Sequence, residues 1–123
     1  MAQAAPSAVG PYSHGVVSGG LLFCSGQIPL DPSTGQLVDG GAAEQTRRCL
    51  ANLAAVCEAA GASLADAVRC TVYLTDLPGD WEEVNAAYAE FFGDDPPARV
   101  AIGVAALPKG ARVEIDAIVA LPD

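Results

Sequence analysis

The sequence predicts an α+β fold, a two-layer sandwich in which one mixed sheet carries two helices on a single face. Three observations lead there. Two segments place apolar residues at helical spacing, five short segments are apolar runs or alternate with period two, and the segments follow the order β-β-α-β-α-β-β. At 123 residues the chain suits one domain spanning residues 1–123, because little would remain for a second core.

The segment from Tyr12 to Gly26 reads as a hairpin, with Ser18, Gly19 and Gly20 as turn residues and Leu21, Leu22 and Phe23 as the apolar run of the second strand. The stretch QIPLDPSTGQLVDGG that follows, residues 27–41, is dense in turn residues and is expected to be an ordered surface loop. From about Ala42 to Ala60, Cys49, Leu50, Leu53, Cys57 and Ala60 form one face of an amphipathic helix. Gly61 is placed to end that helix in a left-handed conformation that a Cβ would penalise. Val68, Cys70, Val72 and Leu74 then alternate with polar residues as a strand.

The DLPGD turn leads into Asp80 and Glu83, spaced as an acidic analogue of a capping box, and into a second helix with Trp81, Val84, Tyr88, Phe91 and Phe92 as its apolar stripe. That helix closes near Gly93. Two strands end the chain, about Arg99 to Ala105 and Arg112 to Ala120.

Six basic against fifteen acidic residues give a net charge of -9, which repels phosphate backbones and anionic membrane surfaces; nucleic acid and membrane are not expected partners. No apolar run reaches the roughly 20 residues a spanning helix needs, and the start has no basic and apolar leader pattern, so a cytoplasmic protein is expected. A mean hydropathy of +0.31 points to more apolar surface than a small monomer hides, with oligomerisation as its outlet. Cys24, Cys49, Cys57 and Cys70 show no C-x-x-C spacing and each sits in an apolar pattern, so they read as small buried hydrophobes rather than metal or redox ligands.

Arg99 and Glu114 interrupt the apolar pattern of the last two strands. Period two places Arg99 with Ala101, Gly103 and Ala105 on one face of its strand, and Glu114 with Arg112 and Asp116 opposite Val113, Ile115, Ala117 and Val119 on the other strand. On pattern alone, two readings stand side by side. The charges are solvated strand ends or an ordinary ion pair, or they are a carboxylate-binding fork beside small residues and a carboxylate that directs water. In a simple hairpin Arg99 would face Val119, roughly 16 Å from Glu114 at about 3.3 Å per residue. The two can meet only if their strands are not hairpin neighbours, or if they meet across a subunit boundary.

The segments GPYSHG (10–15), FCSGQIPLDPSTGQL (23–37), NAAYAEFF (85–92) and PPARVAIGVAALPKGARVEIDAIV (96–119) resemble the RidA (YjgF) family of enamine/imine deaminases over nearly the whole chain. The resemblance implies a chorismate-mutase-like fold, a homotrimer with active sites between subunits, and cofactor-independent, metal-free hydrolysis of reactive 2-imino acids such as 2-aminoacrylate or 2-iminobutanoate to 2-keto acids and ammonia. By position it implies that Arg99 grips the substrate carboxylate and Glu114 positions the attacking water, while Tyr12, Ser25, Gly26, Asn85 and Ala101 line or support the cleft.

Two residues depart from the family pattern. Ala101 stands where many deaminating members carry cysteine, and His14, the only histidine, stands where glutamine is frequent and reads as structural or solvated. Two rivals remain open on sequence. One is a deaminase of a larger imine, favoured by the room beside Ala101 and Gly103; the other is a non-catalytic trimer that binds small carboxylic acids. A ribonuclease role ranks last, because no phosphate-binding constellation is present.

Overall fold

The computed structural model describes residues 4–8, 10 and 12–123. Five strands form one mixed sheet: β1 (Gly15–Ser18), β2 (Leu21–Gln27), β3 (Ala67–Leu74), β4 (Ala98–Gly103) and β5 (Val113–Ala120). Their order across the sheet is β1-β2-β5-β3-β4. Two helices, α1 (Ala42–Ala59) and α2 (Leu77–Phe92), supply the second layer.

The connections explain this order. A two-residue Gly19–Gly20 turn makes β1 and β2 an antiparallel hairpin. The crossover through α2 makes β3 and β4 parallel, as a helical connection allows. β5 then enters antiparallel to both β2 and β3, filling the gap between them. The last two strands are therefore not hairpin neighbours, since β3 lies between them.

One face of the sheet is dry. Val113, Ile115, Ala117 and Val119 of β5 are at most 2 % exposed and join Leu50, Leu53, Val56, Cys70, Val72 and Leu74 in one core cluster, as the alternation anticipates. Fully burying a side chain such as Leu50 or Leu53 stabilises by about 1.5–3 kcal/mol. All four cysteines are buried and none forms a disulfide. Val68 departs from its strand's pattern and is exposed, because the β3–β5 register shifts between Ala67 and Arg69. The loop after β2 is ordered by Asn52 of α1, whose Nδ2 donates to the carbonyls of Ile28 at 3.2 Å and Leu30 at 3.1 Å.

The start of α2 corrects the capping-box expectation. Asp76 is the N-cap, its Oδ1 accepting from the Gly79 amide at 3.2 Å, and Pro78 sits in the first turn, where a missing N–H costs nothing. Asp80 lies inside the helix, buried, with its carboxylate 2.5 Å from the Arg112 guanidinium. Among the described residues no helix is long and apolar enough to cross a membrane, and no cluster of three or more His, Cys, Asp or Glu could hold a metal ion.

Candidate active site

Arg99 is half-buried on the helix-covered side of β4, since its cross-strand partner Cys70, and Ala117 paired with Cys70 on β5, both belong to the core. Three residues of α2 at positions 81, 85 and 88, spaced to share a helix face, frame its guanidinium. Asn85 Oδ1 accepts from Arg99 Nη1 at 2.7 Å, and the Cζ lies 5.4 Å from the Trp81 ring centroid and 5.0 Å from that of Tyr88. Such rings attract a cation and fix its plane. Among the described residues Arg99 has no carboxylate partner and its one hydrogen bond goes to Asn85. Most of its N–H donors therefore remain available for a planar anion. Ala101, two residues on, shares this face and packs against the core.

Glu114 stands on the other face. Its register partner is Tyr73, and its neighbours along β5, Val113 and Ile115, point into the core. Burial, then the charge of Asp116, pushes its carboxyl above the usual carboxylate range. Asp116 is itself held by the Tyr73 hydroxyl, which donates to Oδ2 at 2.9 Å, and by the Thr71 amide at 3.2 Å from Oδ1. Gly26 leaves the space Glu114 occupies: a Cβ there would collide with Glu114 Oε2. Ser25 Oγ donates to the Ser13 carbonyl at 2.6 Å, and its amide to that of His14 at 2.9 Å, which fastens the segment carrying Tyr12 beside β2. Tyr12 is 40 % exposed, whereas His14 is 3 % exposed. Pro11 of the same motif lies outside the described residues.

The expected residues thus form two groups. Ser25, Gly26 and Glu114 lie at the end of β2 and on β5, with the segment carrying Tyr12 beside β2, and Asn85, Arg99 and Ala101 lie on the helix side by β4. Within one chain Arg99 and Glu114 are two strands and three residues apart, about 14 Å between backbones at usual sheet spacings, and they point to opposite faces. Sequence reasoning missed Trp81, Tyr88, Tyr73 and Asp116. The polar Asn85 within an apolar helical stripe was the one signal that could have drawn attention to the first two.

A family model described as endoribonuclease L-PSP matches residues 2–121 of this chain. The human 2-iminobutanoate/2-iminopropanoate deaminase is 46% identical over 114 residues, covering 93% of this chain and 82% of that protein. A RutC family protein of Pyrococcus horikoshii is 50% identical over 114 residues, covering 93% and 90%. The crystal structure of TdcF from E. coli with bound serine superposes with a TM-score of 0.93 at 40% identity, covering 99% of this chain and 97% of that one.

Proposed function

Because the chain belongs to the endoribonuclease L-PSP family, to which the RidA proteins also belong, we propose that it hydrolyses reactive 2-imino acids to 2-keto acids and ammonia. The observation that carries this reading is Arg99: a half-buried guanidinium framed by Asn85, Trp81 and Tyr88 and meeting no carboxylate among the described residues. A 2-imino acid presents a carboxylate that fits this fork and a C=N carbon one bond away.

In the proposed reaction the carboxylate docks on Arg99, and Glu114 takes a proton from a water whose oxygen adds to C2. The resulting carbinolamine receives that proton on nitrogen, the C–N bond breaks, ammonia leaves, and loss of the hydroxyl proton leaves the keto acid. A carboxyl raised by burial and by Asp116 is a stronger base than an exposed one, which suits taking and returning a proton. A protonated imine is already electrophilic, so orientation supplies much of the acceleration.

We further propose that two copies of the chain complete each site, in a homotrimer. Two observations support this. Arg99 and Glu114 face opposite ways within one chain, and the open sheet face carries exposed Val16, Phe23 and Ile102 at 57 %, 42 % and 41 %.

The test is keto-acid formation with a dehydratase that generates the imines of threonine or serine, semicarbazide competing for them. The expected result is faster keto-acid release with the wild type than in buffer, and no such acceleration with Arg99→Ala. Wild type indistinguishable from buffer would overturn hydrolysis of small imines.

A further inference from the structure

Arg99 is also one wall of a pocket that the mechanism above leaves unused. Tyr88, Ala89, Phe92 and Gly93 from the C-terminal end of α2, with Pro96 and Pro97 before β4, line an open pocket of about 270 Å³ beside it. Apart from the arginine, every lining residue is apolar or aromatic, and the rings of Tyr88 and Phe92 meet tilted, with centroids 4.7 Å apart. Tyr88 belongs to both places, since its ring lies under the Arg99 guanidinium.

We infer that this pocket receives the side chain of the imino acid whose carboxylate Arg99 holds, so that the preferred substrates carry bulky apolar or aromatic side chains rather than the smallest ones. This rests on the carboxylate-binding reading of Arg99. The chemistry follows from the connectivity of the ligand: in a 2-imino acid the side chain leaves the carbon next to the carboxylate. A group attached there lies within a few bonds of the guanidinium, and Tyr88 is 5.0 Å from that guanidinium. Ligand pockets for whole drug-sized molecules are commonly about 300–1,000 Å³, so this space suits a side chain rather than an entire ligand. Among the described residues it offers no second charge, so an acidic or basic side chain would be desolvated without a partner. Discrimination by apolar fit is worth roughly tenfold or more for each well-placed group.

Two measurements on the full-length protein separate this inference from the reading it rests on. The first is calorimetric titration with acetate, 4-methylpentanoate and 3-phenylpropanoate, which are inert carboxylates that need no turnover. The second is keto-acid release from the imines that a D-amino-acid oxidase makes from D-alanine, D-leucine and D-phenylalanine, with semicarbazide competing. Affinity and kcat/KM are expected to rise at least about tenfold from the smallest to the larger members. Ala89→Leu, which fills the pocket from an exposed helix position, is expected to compress both series, and Arg99→Ala to abolish binding of all three acids. A rising binding series without imine turnover would sink the hydrolase reading and keep the pocket. Small-imine turnover with a flat or inverted series, or a ratio that Ala89→Leu leaves unchanged, would overturn the pocket and keep the hydrolase.

Discussion

Arg99 and Arg112 belong to adjoining parts of one sheet and have opposite fates. Arg112, just before β5, is engaged within the chain: its guanidinium meets buried Asp80 of α2 at 2.5 Å, and its amide donates to Gln45 Oε1 of α1 at 2.8 Å. Arg99 is held instead by an amide and two aromatic rings, none of which neutralises it. The difference teaches how a fold separates a cation that joins its layers from one that no carboxylate among the described residues neutralises. Both are half-buried arginines; only the company differs.

The comparison is broken most severely by Arg99→Ala. Losing a charge-assisted, two-pronged contact is expected to lower kcat/KM for imine hydrolysis roughly a hundredfold or more, with the melting temperature little changed. Arg112→Leu should do the reverse. It leaves the Asp80 carboxylate buried without its cation, costing about 2 kcal/mol, short of the full penalty for a pair buried on both sides. Thermal unfolding should show the loss, while activity per folded molecule stays near wild type.

Gly26→Ala sharpens the comparison from the other half of the site. The added Cβ would collide with the Glu114 carboxylate, so kcat should fall about tenfold with a modest change in stability, read by steady-state kinetics beside calorimetry. The smallest expected effect is on stability in Glu114→Gln. Glu114 has a raised folded-state pKa, so its contribution to stability is fully present below the ordinary carboxylate range and is lost as pH rises through the raised value. The glutamine variant should match wild type at acid pH and be slightly more stable at neutral pH, although inactive. Denaturation midpoints across pH give the sign.

Much of the fold was legible in the sequence. Alternation along β5 separated Glu114 from its core-facing neighbours, and Arg99 and Glu114 were singled out because a charge is improbable in such strands. Three things were not legible, each for a physical reason. Period two assigns faces within a strand but says nothing about which strands pair, so the opposite orientation of Arg99 and Glu114 waited on the insertion of β5 between β2 and β3. Trp81 and Tyr88 obey the same helical spacing whether they fill a core or flank a guanidinium. Pro78 and Gly79 read as a turn, although both fit a first helical turn when Asp76 supplies the cap.

The central claim is that two chains share each site, and mixing two dead variants tests it most directly. Arg99→Ala and Glu114→Gln chains are unfolded together in equal amounts and refolded, with mixed oligomers verified by native mass spectrometry. If each site takes Arg99 from one copy and Glu114 from another, random assembly restores about one quarter of wild-type activity, since that share of sites pairs two intact residues. If mixed oligomers form and activity stays at the level of the separate variants, both residues serve within a single chain and the shared site is wrong.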